Sequence, residues 1–255
     1  MRLLRLLWVF LRVGVMGETA YPANFVAHLV DAALELGTAL AGLALVFAHT
    51  TTLAGWRADE LIALVGGVIG LVIQPGMEQL TEAVLDGTLD FTLAKPEDAQ
   101  LLVSVWRVEI WKMIDIGLGL AVLGIGLARM GQRVGLVDAV AFAAALLAGS
   151  VIVYSFWLIL ATTAFWLVRI ENILVIFQSV YEAGRWPVSI YPAWLRFALT
   201  FIVPVAFAIT VPAQALAGRL TWPLLGGAAA FAAALFIVAR MFWRTGVRRY
   251  SGASS

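Results

Sequence analysis

The chain has 255 residues, of which 62% are hydrophobic and 13% charged, with a formal net charge of +1. A soluble domain carries about 45–50% apolar and about 25% charged residues, so this composition excludes an ordinary soluble fold and points to lipid. There is no Cys and only two His, which excludes disulfide frameworks, Cys-based metal sites and His-rich metal centres.

Residues 1–16 open the chain with MRLLRLLWVFLR. Arg5 and Arg12 interrupt the apolar run, leaving less than the roughly 7–15 residues of a signal h-region. Arg2, Arg5 and Arg12 share one helical face, and Leu, Trp, Val and Phe fill the other. The segment reads as an interfacial helix lying among lipid headgroups.

Crossing the hydrocarbon takes about 20 apolar residues in a helix. Segments 26–47, 61–77, 114–128, 136–167, 197–216 and 222–242 meet or approach that length, which predicts an all-α fold of six spans in a single transmembrane domain, 1–255. The loops 48–58, 129–135 and 217–221 are short. The long connections 78–109 and 168–196 alternate with them, which puts both long connections on the side of the termini. Only Arg57, Arg129, Arg133 and Arg219 of the 17 basic residues then fall on the opposite side. The positive-inside rule makes the termini cytoplasmic.

In the first span, Asn24, His28, Asp31 and Glu35 are spaced four, three and four, and line one face. Ionisable groups in hydrocarbon cost roughly 2.5–3.5 kcal/mol each on insertion scales, so this face turns to protein or water. Two readings stand: a proton or substrate path in which His28 titrates, or an anchoring face near the interface. The charge-free stretch 36–47 favours anchoring, since no relay continues across the membrane. Gly66, Gly67 and Gly70 in the second span, with Gly117, Gly119, Gly124 and Gly126 in the third, suit close helix packing.

Residues 77–112 read MEQLTEAVLDGTLDFTLAKPEDAQLLVSVWRVEIWK. Glu78, Glu82 and Asp86 recur every four residues beside Leu80, Val84 and Leu85, forming an amphipathic helix. Gly87 is its natural stop. Pro96 turns Lys95 out of helical conformation and opens a new helix whose first turn carries Glu97 and Asp98. The connection, with 78–100 as its core, is therefore an ordered element. Further along, Ile170, Leu174, Phe177 and Tyr181 form one apolar stripe of residues 168–186, opposite Glu171, Gln178, Glu182 and Arg185. That is a second amphipathic helix, ending at Gly184 and lying at the cytoplasmic interface. Pro204 and Pro212 predict a bend in the fifth span, either a hinge or a re-entrant piece near 212–218.

No engine is encoded. A phosphate-binding loop requires Lys after Gly, and neither Lys95 nor Lys112 follows one. HExxH, GxSxG and GxGxxG are absent. Uphill transport would draw on another subunit or an ion gradient.

The stretch GTLDFTLAKP, residues 87–96, resembles the G-x-L-D-x-x-L-x-[KR]-P pattern of type-2 ABC exporter permeases in their bacterial six-helix branch. Residues 155–167 (SFWLILATTAFWL) and 191–216 (YPAWLRFALTFIVPVAFAITVPAQAL) are similar to later segments of that branch. The resemblance implies a permease in the bacterial plasma membrane, dimeric with itself or a homologue. Two separate ATP-binding subunits would hold ATP and Mg, leaving this chain with no cofactor and no catalytic role. It implies further that Asp86, Gly87, Leu89, Asp90, Leu93, Lys95 and Pro96 form or support a coupling element docked on the ATPase, with Leu89 and Leu93 as its apolar knobs. The apolar path between permeases suggests an amphipathic or lipid-like cargo. The alternative is a gradient-driven secondary transporter or channel using the first-span polar face.

Overall fold

The computed structural model describes residues 22–58, 61, 77, 79–84, 86–95, 98–104, 117, 120–122, 124–125, 128, 135–167, 175–177, 179–180 and 186–250. Among the described residues there is no strand, only an isolated bridge between Leu53 and Trp56. The helices are α1 (Pro22–Phe47), α2 (Asp90–Leu93), α3 (Ala99–Ser104), α4 (Leu136–Thr162), α5 (Ala193–Phe197), α6 (Val205–Leu216) and α7 (Trp222–Arg249). A 3₁₀ turn, Thr163–Phe165, extends α4, and a π-helical turn, Ala198–Ile202, extends α5.

Three of these helices are long and apolar enough to cross a membrane: Leu29–Phe47, Leu136–Phe165 and Trp222–Arg249. The pair Ala193–Ile202 and Ala206–Ala215, bent by 101°, makes a fourth if it is one broken span. Most of the spans predicted at 61–77 and 114–128, and the interfacial helix at 1–16, lie outside the described residues.

Packing centres on α4, whose main partners are α6 and α7. In lipid no hydrophobic drive pulls helices together, so close backbone approach and van der Waals contact must hold them. Ala141, Ala145, Ala148, Gly149 and Ile152 give α4 a buried seam of mostly small residues. A Cβ on Gly149 would stand 2.6 Å from the Phe207 carbonyl oxygen and 2.9 Å from the Ala208 Cα of α6. Ala228, Ala232, Ala239 and Gly246 give α7 a similar buried face. These glycines, and not those noted at 117 and 124, make the close contacts: a Cβ at Gly117 or Gly124 would meet nothing within 4 Å. The α4 hydroxyls bond back to carbonyls one turn earlier, Ser150 to Leu146 at 2.8 Å and Ser155 to Val151 at 2.7 Å. Their polarity is thereby satisfied without water.

Pro204 separates the π-helical turn after α5 from α6. Val203 is extended (φ −119°, ψ 94°), and Pro204 begins the next helix with ψ 50°. Pro212 lies inside α6 without ending it. α6 stops instead at Gly218 (φ +66°), where Arg219 N–H donates to Gln214 O at 2.8 Å and Gly218 N–H to Ala215 O at 3.2 Å. This is a Schellman closure, in which only glycine adopts the required φ without strain.

One expectation about sides is corrected. The loop 48–58 was assigned opposite the whole of 168–196. Yet Trp56 donates its indole N–H to Ser189 Oγ at 3.0 Å, and Trp186 packs on the cluster of Leu43, Trp56, Leu61 and Ala213. Arg219 stacks over the same Trp56 ring at 5.3 Å, and Arg196 donates to Ser189 O at 3.2 Å. Alternation assigns sides only when every crossing is a single straight helix, and the break at Pro204 violates that condition. Arg196 therefore belongs with the 48–58 end.

Gly149→Ala forces two backbones apart and should cost about 1–3 kcal/mol, the usual cost of overpacking. Gly227→Ala, with open space around its Cβ, should be neutral or stabilise by about 0.5–1 kcal/mol through its helix propensity. Thermal unfolding of the two variants in detergent micelles measures the contrast.

Candidate functional site

The connection after residue 77 forms a compact element. Its first helix is described at 77 and 79–84, with Met77, Leu80, Thr81, Ala83 and Val84 buried and Glu82 exposed. Gly87 ends it at φ +69°; its N–H donates to Val84 O at 3.4 Å, and Leu89 N–H to Ala83 O at 3.1 Å. The chain thereby reverses within a few residues into α2. Leu89 carries the first turn of α2: its carbonyl accepts from Thr92 N–H at 2.9 Å and Leu93 N–H at 3.0 Å.

The side chains alternate sharply in exposure. Leu89 has no exposed surface and sits in a core with Trp157, Ala161 and Trp243, while Thr92 is 2% exposed. Leu93 packs partly buried against the same core. Phe91 between them is 76% exposed. Asp86, Asp90 and Lys95 are exposed around it. The knob assignment is corrected accordingly: Leu89 braces the element from inside, Leu93 is half-buried, and Phe91 projects. Pro96 lies outside the described residues.

Asp98 starts α3 rather than Pro96. Its carboxylate accepts from Gln100 N–H at 3.0 Å and its carbonyl from Leu102 N–H at 3.1 Å, as an N-cap does. The same carboxylate meets Arg240 of α7 with both oxygens, Nη1 reaching Oδ1 at 2.9 Å and Nη2 bonding Oδ2. Arg240 Nη1 also donates to Gln100 Oε1 at 2.5 Å. Buried Gln100 donates to the Tyr154 hydroxyl of α4 at 3.0 Å, and that hydroxyl lies 2.7 Å from Ser104 Oγ. Ser104 donates to Gln100 O at 2.6 Å, so the Tyr154 proton points to Ser104 and every member of the chain is satisfied. The sequence marks Arg240 only as one of the basic residues and gives no sign of the roles of Gln100, Ser104 and Tyr154. An Arg and a Tyr inside otherwise apolar spans were the available signal.

The remaining site residues fall elsewhere. Asp31 is exposed on α1; the side chains of Asn24, His28 and Glu35 lie outside the described set. Leu199 and Val203, beside the Pro204 break, share the core that holds Leu89. Of the predicted amphipathic helix at 168–186, residues 175–177 and 179–180 are helical, and Phe177 packs edge-on against Phe156 at 5.5 Å. The other stripe residues named in that segment, and Gly184, lie outside the described residues.

The Arg240 guanidinium holds the Asp98 carboxyl below its ordinary 3.8, against an opposing push from burial. A depressed folded value stabilises the fold above the unfolded one, and that stabilisation is lost as pH falls through the folded value. Asp98→Asn keeps an N-cap and removes the charge. Its melting temperature should lie slightly below wild type at pH 7, and the gap should close on acidification below 3.8.

A search of curated proteins and of solved structures finds no match to the chain. Residues 33–254 match the family model of ABC-2 family transporter proteins. That span takes in the C-terminal part of α1, the connection through α2 and α3, the Pro204 break and α7, so the chain belongs to the ABC-2 transporter family.

Proposed function

We propose that this chain is the permease subunit of an ABC exporter, driven by separate ATP-binding subunits that dock on residues 86–95. Phe91 carries the reading: an aromatic ring 76% exposed, held out between the buried Leu89 and Thr92 by a four-residue helix. An exposed aromatic on a rigid turn is the kind of anchor that fills a partner's pocket, because two χ angles cost little entropy to fix. Asp86, Asp90 and Lys95 supply a polar rim. Gly87, Leu89 and Leu93 support the turn from within.

The rest of the assignment follows from family membership and the absence of a phosphate-binding loop. Two permeases, identical or homologous, pair in the bacterial plasma membrane, with six crossings each and cytoplasmic termini. Two ATPase subunits bind ATP and Mg below them, and their closure rocks the permeases between inward and outward states. Pro204 is the hinge that lets the fifth helix change angle, and the apolar walls suit an amphipathic or lipid-like cargo.

Phe91→Asp should abolish co-purification of the ATP-binding subunit while costing this chain within about 0.5 kcal/mol of stability, as a surface change does. Leu89→Ala should instead cost about 2–5 kcal/mol by opening a cavity. Undiminished association of the Phe91→Asp variant would overturn the docking assignment. Solute pumping by the chain alone, on an ion gradient without ATP, would overturn the exporter reading as a whole.

A further inference from the structure

Arg240 poses a physical question. It lies within a candidate span, Trp222–Arg249, about 27 Å along the helix from its start at 1.5 Å per residue. A cation within the hydrocarbon is costly to insert and is retained where it has a partner and a task. Its partner is Asp98, the N-cap of α3, in the same connection whose α2 projects Phe91. Both guanidinium nitrogens meet both carboxylate oxygens, a fork that fixes angle as well as distance. Yet the two side chains are 27% and 35% exposed, and such a partly solvated pair adds little to stability. What the pair supplies is orientation.

The surroundings agree. Arg240, Trp243 and Val247 follow at spacings of three and four on one face of α7, with Tyr250 three residues beyond. Trp243, Val247 and Tyr250 pack in the core that contains Leu89. Gln100, held by Arg240, passes the connection on to Tyr154 of α4. α1 takes no part: its buried contact is Leu43, in the separate cluster around Trp56. The element is therefore tied to α4 and α7 by directional bonds and to α1 by none among the described residues.

We infer that Arg240 is a positioning residue: its fork on Asp98 and its bond to Gln100 lock the 86–104 element onto α7 and α4, so that a push on the element moves those two helices with it. The inference rests on the docking reading above. It makes the Asp98–Arg240 pair a strut rather than a staple, with geometry and not stability as its output.

The natural chain has no Cys, so introduced labels are unique. Thr88→Cys and Thr245→Cys are both at exposed positions, one on the element and one on α7. Their separation is read by electron–electron spin resonance in nanodiscs containing the permease and its ATP-binding subunit, with labelled chains diluted in unlabelled ones. Measurements are made without nucleotide and with ATP and Mg. Wild type should give one narrow distribution, unchanged by ATP. Asp98→Asn and Arg240→Gln should each broaden it about twofold, since the fork no longer fixes the angle, while the ATPase subunit co-purifies in the same amount. Arg240→Lys, which keeps the charge but not the fork, should fall between. Narrow distributions in both neutral variants would overturn the strut and leave docking intact, as would a wild-type separation that shifts with ATP. Failure of wild type to retain the ATPase would overturn the docking reading and the strut's function with it.

Discussion

Backbone contact between α4 and α6 at Gly149 is the constraint on which the rest of the architecture depends. In water a poor fit between helices is tolerated because apolar burial still favours contact; in lipid the alternative to a helix neighbour is an equally apolar acyl chain. Only the additional dispersion from close approach discriminates, so the seam must be built from Gly and Ala. Gly149 brings the Phe207 carbonyl within what would be a clash for any side chain, and Gly246 does the same against Phe165 and Thr162. Once α4 is fixed between α6 and α7 in this way, the aromatic residues Trp157, Phe165 and Trp243 fill the space below the seam and form the floor on which Leu89 rests.

The break at Pro204 follows from the same rule. A helix interrupted in a membrane frees backbone groups that water does not reach, so it survives only where protein covers it. Leu199 and Val203 are buried in the core, and Val203 N–H finds Ala198 O at 2.9 Å. Further on, Thr210 Oγ1 accepts the Val188 N–H at 3.1 Å, drawing the segment before α5 against α6. The bend thus carries 186–190 toward the 48–58 loop, and Leu199 and Val203 share one packed core with Leu89.

The all-α class, the end of α1 at Phe47, the start of α7 at Trp222 and the stop at Gly87 were legible because each is written in local chemistry: apolar length and a glycine at φ > 0. What sequence could not supply was direction. Leu89, Phe91 and Leu93 alternate in a pattern that serves either as two buried leucines and one exposed ring or as the reverse, and a helix of four residues has too short a period to decide. The core beneath decides it, and its Trp157, Ala161 and Trp243 come from the distant helices α4 and α7. Arg240 was hidden for a related reason. Its value lies in a partner 142 positions distant, and in a count of charges it looked like one more residue at a basic helix end.

Burial and projection are coupled in the proposed docking element. A flexible loop bearing Phe91 would bind a partner as well in principle, but each closure of that partner would spend its motion on the loop. Leu89 buried beneath the ring removes translation, because leaving the core reopens a cavity. The Asp98–Arg240 fork removes rotation, because two parallel charge-assisted bonds tolerate little twist. Together they leave one rigid path from an exposed aromatic to α4 and α7, the two helices that hold the small-residue seam. A permease without a phosphate-binding loop needs such a path, since force that arrives from outside is useful only if it reaches helices packed too tightly to absorb it.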